Sequence, residues 1–184
     1  VGDYTQHHGR EMSFVNVLDA DAAYNLVADF EQPAIAIIKH TNPCCFATGH
    51  VDSKVGITVA SLYERALGDG DHVSAYGGIV ATNRPIDMEY ASALRELRSP
   101  GSGERMFYEI VIAPDSDPDA LEHLKRKSKD LRILTAPNLE PRRPRLDFRS
   151  VRDAVLVQDA DVSDETKLEV VTDRQPTDSE FADL

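Results

Sequence analysis

Ala34-Ile35-Ala36-Ile37-Ile38 is a run of five apolar residues closed by Lys39-His40. The run is too short for a typical helix and is rich in Ile, so it reads as a β-strand buried on both faces. Upstream, Asp19 to Phe30 has the opposite period. Ala20, Ala23, Tyr24, Val27 and Phe30 share one helical face, Asp19 is a candidate N-cap, and Gln32-Pro33 ends the element. The two periods recur downstream. Val59, Leu62, Tyr63, Ala66 and Leu67 form an amphipathic stripe, and Gly77-Gly78 leads into a strand at Ile79-Val80-Ala81. Met88 to Leu97 reads as a helix and Ile110-Val111-Ile112-Ala113 as a strand. Asp117-Pro118 starts a helix that runs to Lys127, and Leu131 to Leu134 is a further strand. Alternating strands and helices predict an α/β fold with a largely parallel sheet. Thr41 to Gly49 reads as loop, and a Pro/Arg-rich loop near residues 137–145 interrupts the order. Beyond it, Val151 to Val157 and Leu168 to Val171 read as strands, Asp159 to Glu165 as a solvated acidic stretch, and Thr177 onward as the start of a helix.

Composition narrows the function. The chain has 184 residues and a formal net charge of −12, a field that repels nucleic acid and anionic membrane surfaces. An anionic ligand would need a local cluster of cations. The two cysteines, Cys44 and Cys45, are adjacent in sequence, which argues against a disulfide framework and for a reducing, cytoplasmic setting. No apolar run approaches the roughly 20 residues that span a bilayer. Walker-type and Rossmann glycine motifs are absent from the sequence. The opening Val, in place of Met, suggests a piece of a longer chain.

Six strings, in order, carry a resemblance. They are Gln6-His7-His8-Gly9-Arg10-Glu11 with Asp19-Ala20-Asp21-Ala22-Ala23; Lys39-His40-Thr41-Asn42-Pro43-Cys44; Ser74-Ala75-Tyr76-Gly77-Gly78; Phe107-Tyr108-Glu109-Ile110-Val111-Ile112-Ala113-Pro114; Ser150-Val151-Arg152 with Val157-Gln158-Asp159; and Val171-Thr172-Asp173-Arg174-Gln175-Pro176. Together they resemble the first half of the AICAR transformylase domain, which formylates 5-aminoimidazole-4-carboxamide ribonucleotide (AICAR). The resemblance implies a three-layer α/β/α sandwich, a cytidine deaminase-like lobe extending over residues 1–184. It also implies 10-formyltetrahydrofolate as co-substrate and a homodimer in the intact enzyme. The second lobe and the cyclohydrolase domain of that family have no counterpart in the sequence, so the chain by itself is expected to be inactive. Four positions depart from the family pattern: Cys45, Asp153 and Ala154 replace glycines, and His72 follows Asp71 where Pro is usual.

The implied chemistry suits the residues. An aromatic amine is a poor nucleophile, so its attack on a formyl carbon needs a proton acceptor and a stabilised oxyanion. His40 fits the first task and Lys39 the second, provided both stand where the strand turns into loop. By resemblance, Asn16 and Glu109 contact the nucleotide, with Glu109 accepting from ribose hydroxyls. Gly77 lets backbone approach the substrate, Asn42 shapes the loop, and Arg10 helps to offset the phosphate. Read alone, each has a plainer role: a surface His, a solvent-seeking Lys, an exposed Arg, a charge at a strand start. Pro43-Cys44-Cys45 looks like the start of a deaminase zinc motif, but the next spaced Cys and an upstream His-x-Glu are lacking, so no metal is expected. The alternative reading is a non-catalytic nucleotide-binding or assembly module of the same fold.

Overall fold

The computed structural model describes residues 3–49, 58–137, 146–161 and 169–182. Two compact units divide the chain, Val1–Pro141 and Arg142–Leu184.

The first unit is α/β. In chain order it contains β1 (Thr5–His8), α1 (Phe14–Ala28), β2 (Ala34–Lys39), β3 (Asn42–Thr48), α2 (Val59–Asp69), β4 (Gly78–Thr82), α3 (Met88–Glu96), β5 (Tyr108–Ala113), α4 (Pro118–Lys125) and β6 (Arg132–Thr135). The strands form one sheet in the order β1-β6-β5-β4-β2-β3. Only the β4–β5 and β5–β6 pairings are parallel; β2 is antiparallel to both β3 and β4, and β1 is antiparallel to β6. The expected largely parallel sheet is therefore a mixed one. Apolar runs record burial on both faces but carry no record of strand direction.

The double-sided strands generate two cores. On one face Ile35 and Ile37 of β2, Val80, Val111 and Ile133 pack with Leu62, Tyr63 and Leu67 of α2, Tyr90 and Leu94 of α3 and Leu124 of α4. On the other face Ala34, Ala36, Ile38, Ile79, Ile110 and Ile112 pack with Ala20, Ala23, Tyr24 and Val27 of α1. Each fully buried Ile contributes about 1.5–3 kcal/mol of transfer free energy. Asn83 ties the end of α1 to the start of β2. Its Oδ1 accepts from the Ala34 N–H at 2.9 Å, and its Nδ2 donates to the carbonyls of Phe30 and Gln32, each at 2.8 Å.

Two boundaries differ from the sequence reading. The first helix begins at Phe14, capped by Ser13 in a reciprocal capping box with Asn16. Asp19 therefore lies inside the helix and is buried, at 4% exposure. The segment read as loop from Thr41 contains β3. Pro43 disguised it, yet Pro is tolerated because β3 is the edge strand.

In the second unit, β7 (Leu146–Val151) and β8 (Ala154–Asp159) form an antiparallel hairpin with register Leu146↔Asp159 to Val151↔Ala154. The single strand expected from Val151 to Val157 is thus split by a turn at Arg152-Asp153, which lacks the usual Gly signal. Residues 169–171 are not a strand, and Leu168 lies outside the described residues, as do 138–145 of the Pro/Arg-rich loop and 162–165 of the acidic stretch. Helix α5 (Asp178–Ala182) starts where Thr177 signalled it. The Thr177 Oγ1 accepts from the Glu180 N–H at 3.2 Å and the Glu180 carboxylate accepts from the Thr177 N–H at 2.8 Å. Among the described residues, no helix is long and apolar enough to cross a membrane.

Candidate active site at one end of the sheet

Strand direction sets most of the predicted residues along one end of the sheet, but only Lys39, His40 and Asn42 of them line one cavity, and Arg10 after β1 lies at the opposite sheet edge from Asn42 in β3. Strands β4, β5 and β6 begin at one end of the sheet, β1 and β2 finish there, and β3 starts there. Along that end stand Arg10 after β1, Arg132 at the start of β6, Glu109 in β5, Gly77 before β4, Lys39 at the end of β2 and Asn42 at the start of β3. Ligands in open parallel sheets usually sit at the carboxyl ends of the strands. Here the candidate site lies at the carboxyl end of β2 but at the amino ends of the parallel strands, because β2 runs against them.

The β2–β3 connection is a two-residue turn. Lys39 pairs with Asn42, and the residues between them, His40 and Thr41, both have positive φ, 54° and 61°. This is the type I′ pattern that normally selects Asn-Gly. His visits that region more often than most residues, but for β-branched Thr it is an outlier, so the turn is strained at Thr41 above all. Four hydrogen bonds hold it. The Asp19 carboxylate accepts from the His40 N–H at 3.2 Å and from the Thr41 N–H at 2.8 Å. The Thr41 hydroxyl and the Asn42 Nδ2 each donate to the His40 carbonyl at 2.7 Å. Asn42 therefore shapes the turn, as the sequence suggested.

Next to the turn the register slips: Ile37 pairs with Cys45 but Ile38 with Pro43, leaving Cys44 as the extra residue of a β-bulge. Cys44 joins Lys39, His40, Asn42, Pro43, Asp71 and Ser74 around a cavity of about 460 Å³, a size in the range of small-molecule sites. His40 is exposed. The Lys39 Nζ donates to the Tyr76 carbonyl at 2.7 Å, which fixes the ammonium at the cavity edge. Gly77 follows with φ 77°, and its N–H donates to the Phe107 carbonyl at 2.8 Å. The demand for Gly there is conformational, since an added Cβ would meet nothing nearer than 3.8 Å. The Asp71 carboxylate accepts from the Ser74 Oγ at 2.6 Å, and bonding to Ser74 holds its carboxyl below the usual range. Burial, with help from the Asp71 charge, pushes the Cys44 thiol up. That leaves Cys44 a poor nucleophile near neutral pH.

Cys45, standing where the family has Gly, is an ordinary strand residue: it is buried and its φ is not positive. Its side chain fills space above Gly70, where an added Cβ would come within 2.7 Å of the Cys45 Sγ.

The remaining predicted residues have protein partners. The Asn16 side-chain oxygen accepts from the Ser13 N–H and Oγ at 3.1 and 2.9 Å. Asn16 is one helical turn from Asp19, so it faces the same side of α1 as the residue that holds the turn. Glu109 accepts from Arg132 at 2.7 Å, and Arg132, nearly buried, also donates to the Glu11 carbonyl at 3.0 Å. Arg10 pairs with Asp130 at 2.7 Å in an exposed contact.

The sequence reading missed Asp19 as a turn anchor and Arg132 as the partner of Glu109. It also missed a basic cavity of about 200 Å³ with Arg95, Arg105, Arg126 and Lys127 on its wall, beside Phe107 and Tyr108. Burial, reinforced by Arg105, lowers the Lys127 ammonium to about 8. Glu96 supplies local compensation at 2.5 Å from Arg105. Only the family strings could have pointed to Asp19, and nothing in the local sequence joins the four cations, which come from three separate segments.

The chain is similar to known proteins along its whole length. The model of the family described as AICARFT/IMPCHase bienzyme matches residues 1–184. Proteins named "Bifunctional purine biosynthesis protein PurH" are 42% identical in Persephonella marina, over 96% of this chain, and 41% identical in Rhodospirillum rubrum, over 100% of it. The namesake of Paracoccus denitrificans is 46% identical over 97% of this chain. The chain spans about a third of those relatives, 31% of the first and 32% of the other two. With every residue matched by the family model, the chain belongs to the AICARFT/IMPCHase bienzyme family.

Proposed function

We propose that this chain is the first lobe of an AICAR transformylase, a three-layer α/β/α, cytidine deaminase-like lobe. In this reading it contributes the catalytic pair to formyl transfer from 10-formyltetrahydrofolate to the amine of AICAR. The observation that carries the reading is the hairpin turn that presents His40 beside Lys39 over a cavity of about 460 Å³. The two-faced core supports the layered fold.

The amine nitrogen attacks the formyl carbon, and His40 accepts the amine proton as the new C–N bond forms. The Lys39 ammonium, with donors beyond the one given to Tyr76, stabilises the oxyanion of the tetrahedral intermediate. The bond from the formyl carbon to N10 of the folate then breaks, and N10 takes up a proton. Gly77 lets backbone approach the substrate, Asn42 keeps the turn, and Asn16 reaches the nucleotide from α1. Glu109, braced by Arg132, keeps a second carboxylate oxygen for ribose hydroxyls. Arg10 is less suited to the phosphate, since its guanidinium is engaged by Asp130. The intact enzyme is a cytoplasmic homodimer in this reading, and the reaction needs no metal.

In the complete protein that carries this lobe, His40→Ala should lower kcat by about 10²-fold or more. A near-wild-type rate would remove His40 from the mechanism and favour the non-catalytic module. The 184-residue chain alone should give no robust turnover in the same assay.

A further inference from the structure

We infer that Asp19 is a positioning residue for this reaction: its buried carboxylate clamps the strained His40-Thr41 turn and so fixes where the imidazole and the neighbouring ammonium point. The inference rests on the reading of Lys39 and His40 as the catalytic pair.

The sequence assigns Asp19 a plain role, a helix N-cap, and the structure removes it. Ser13 caps α1, and Asp19 sits inside the helix at 4% exposure. A carboxylate is unfavourable in a helix interior and costly to bury unless its oxygens are satisfied. Here the two oxygens divide between two consecutive backbone N–H groups, Oδ2 on His40 at 3.2 Å and Oδ1 on Thr41 at 2.8 Å. Consecutive N–H groups in a turn make a concavity suited to an anion, and charge-assisted bonds of this kind are the stronger class.

The clamp meets the strain at the residues where it arises. His40 and Thr41 are the only non-glycine residues with positive φ among the described residues. Such conformations persist at functional sites when the surroundings over-determine them. Without the carboxylate, the two N–H groups lose their partner and the left-handed geometry loses its main support. The pair would then relax toward turns in which the His40 side chain leaves the cavity. Lys39 precedes the turn and holds the Tyr76 carbonyl, so the same clamp sets its distance from His40.

The test is made in the complete protein. Asp19→Asn keeps shape and volume but presents an NH₂ to one of the two N–H donors. It should lower kcat about 10- to 100-fold, the scale on which small misplacements act. The KM for the nucleotide should stay within about threefold, because bound contacts away from the turn survive. Thr41→Gly in the Asp19→Asn background should restore at least about fivefold of the lost kcat, since glycine holds positive φ without a clamp. The ³J coupling between the amide proton and Hα of Thr41 reports φ without any turnover, and it should shift in Asp19→Asn. Unchanged coupling together with unchanged kcat would overturn the inference and leave the transformylase reading intact. Loss of kcat that Thr41→Gly does not rescue would assign Asp19 a merely structural role and also overturn it. Full activity of His40→Ala would instead sink the reading on which both stand.

Discussion

Replacing Tyr90 by Phe should stabilise the first unit, whereas the same change at Tyr108 should destabilise it. Tyr63, Tyr90 and Tyr108 are buried to 0%, 0% and 1% exposure, and their rings meet edge to face with Tyr63 at the centre, at centroid separations of 5.9 and 6.2 Å. The Tyr63 and Tyr108 hydroxyls bond each other at 2.8 Å. The Tyr90 hydroxyl is buried without a partner among the described residues. A buried unsatisfied polar group costs about 1–3 kcal/mol, so its removal should recover about 1 kcal/mol after the lost contacts of one oxygen are subtracted. Tyr108→Phe does the reverse: it orphans the Tyr63 hydroxyl and should cost about 1–3 kcal/mol. The double change Tyr63→Phe/Tyr108→Phe removes both partners and should cost much less than the two single changes added, a coupling on the order of 1 kcal/mol or more. Urea unfolding of the four variants measures these differences, and calorimetry should show midpoint shifts of roughly 2–4 °C per kcal/mol for a unit of this size. Destabilisation by Tyr90→Phe would refute the reasoning, because the hydroxyl would then have a partner. The outcome bears on the site, since these rings brace α2 and α3 against the start of β5, where Glu109 stands.

Two further outcomes follow from local geometry and charge. Gly9 has φ 90°, and a Cβ there would come within 2.3 Å of the Leu131 carbonyl oxygen, so Gly9→Ala should cost at least about 2 kcal/mol in urea unfolding by forcing β1 from β6; a loss below about 0.5 kcal/mol would contradict it. Lys127 is held at about 8, below the ordinary lysine value of about 10.4. Between those values the unfolded chain binds more protons than the folded one, so stability should rise from pH 8 toward 10. The full shift corresponds to about 3 kcal/mol, which partial exposure reduces to roughly 1 kcal/mol. Lys127→Met should raise the midpoint at pH 7 and flatten that rise, as pH-dependent calorimetry would record.

The strands at residues 34–38, 79–81 and 110–113 were legible because burial on both faces excludes polar residues from them, and the stripes of α1 and α2 because burial on one face leaves a 3.6-residue period. What stayed hidden depends on partners distant in sequence. His40-Thr41 carries no hairpin signature, because the support for its left-handed turn comes from Asp19, 21 residues upstream of His40. Strand β3 was masked by Pro43 and by the bulge at Cys44, both edge-strand features that cannot be recognised before the sheet order is known. Arg132 lies inside the strand read from Leu131 to Leu134 without a role of its own, and only the β5–β6 pairing, which sets Arg132 opposite Ile110, brings it beside Glu109.

The reversal of β2 also decides where the site must find its positive charge. At the carboxyl ends of parallel strands, the helices that follow point their amino termini at a ligand and bind anions through backbone N–H groups. The candidate site lies at the other end, where α3 and α4 finish before β5 and β6 begin, so those helices present carboxyl termini. Among the described helices of the first unit, only α1, entered from the antiparallel β1, starts on this side, and Ser13 caps it with Asn16 in its first turn. If the site takes the anionic nucleotide of the proposed reading, a chain of net charge −12 must meet it there with side chains. In the proposed reading, Lys39 and the Arg95, Arg105, Arg126 and Lys127 group are the cations at that end placed to supply what the backbone dipoles there do not.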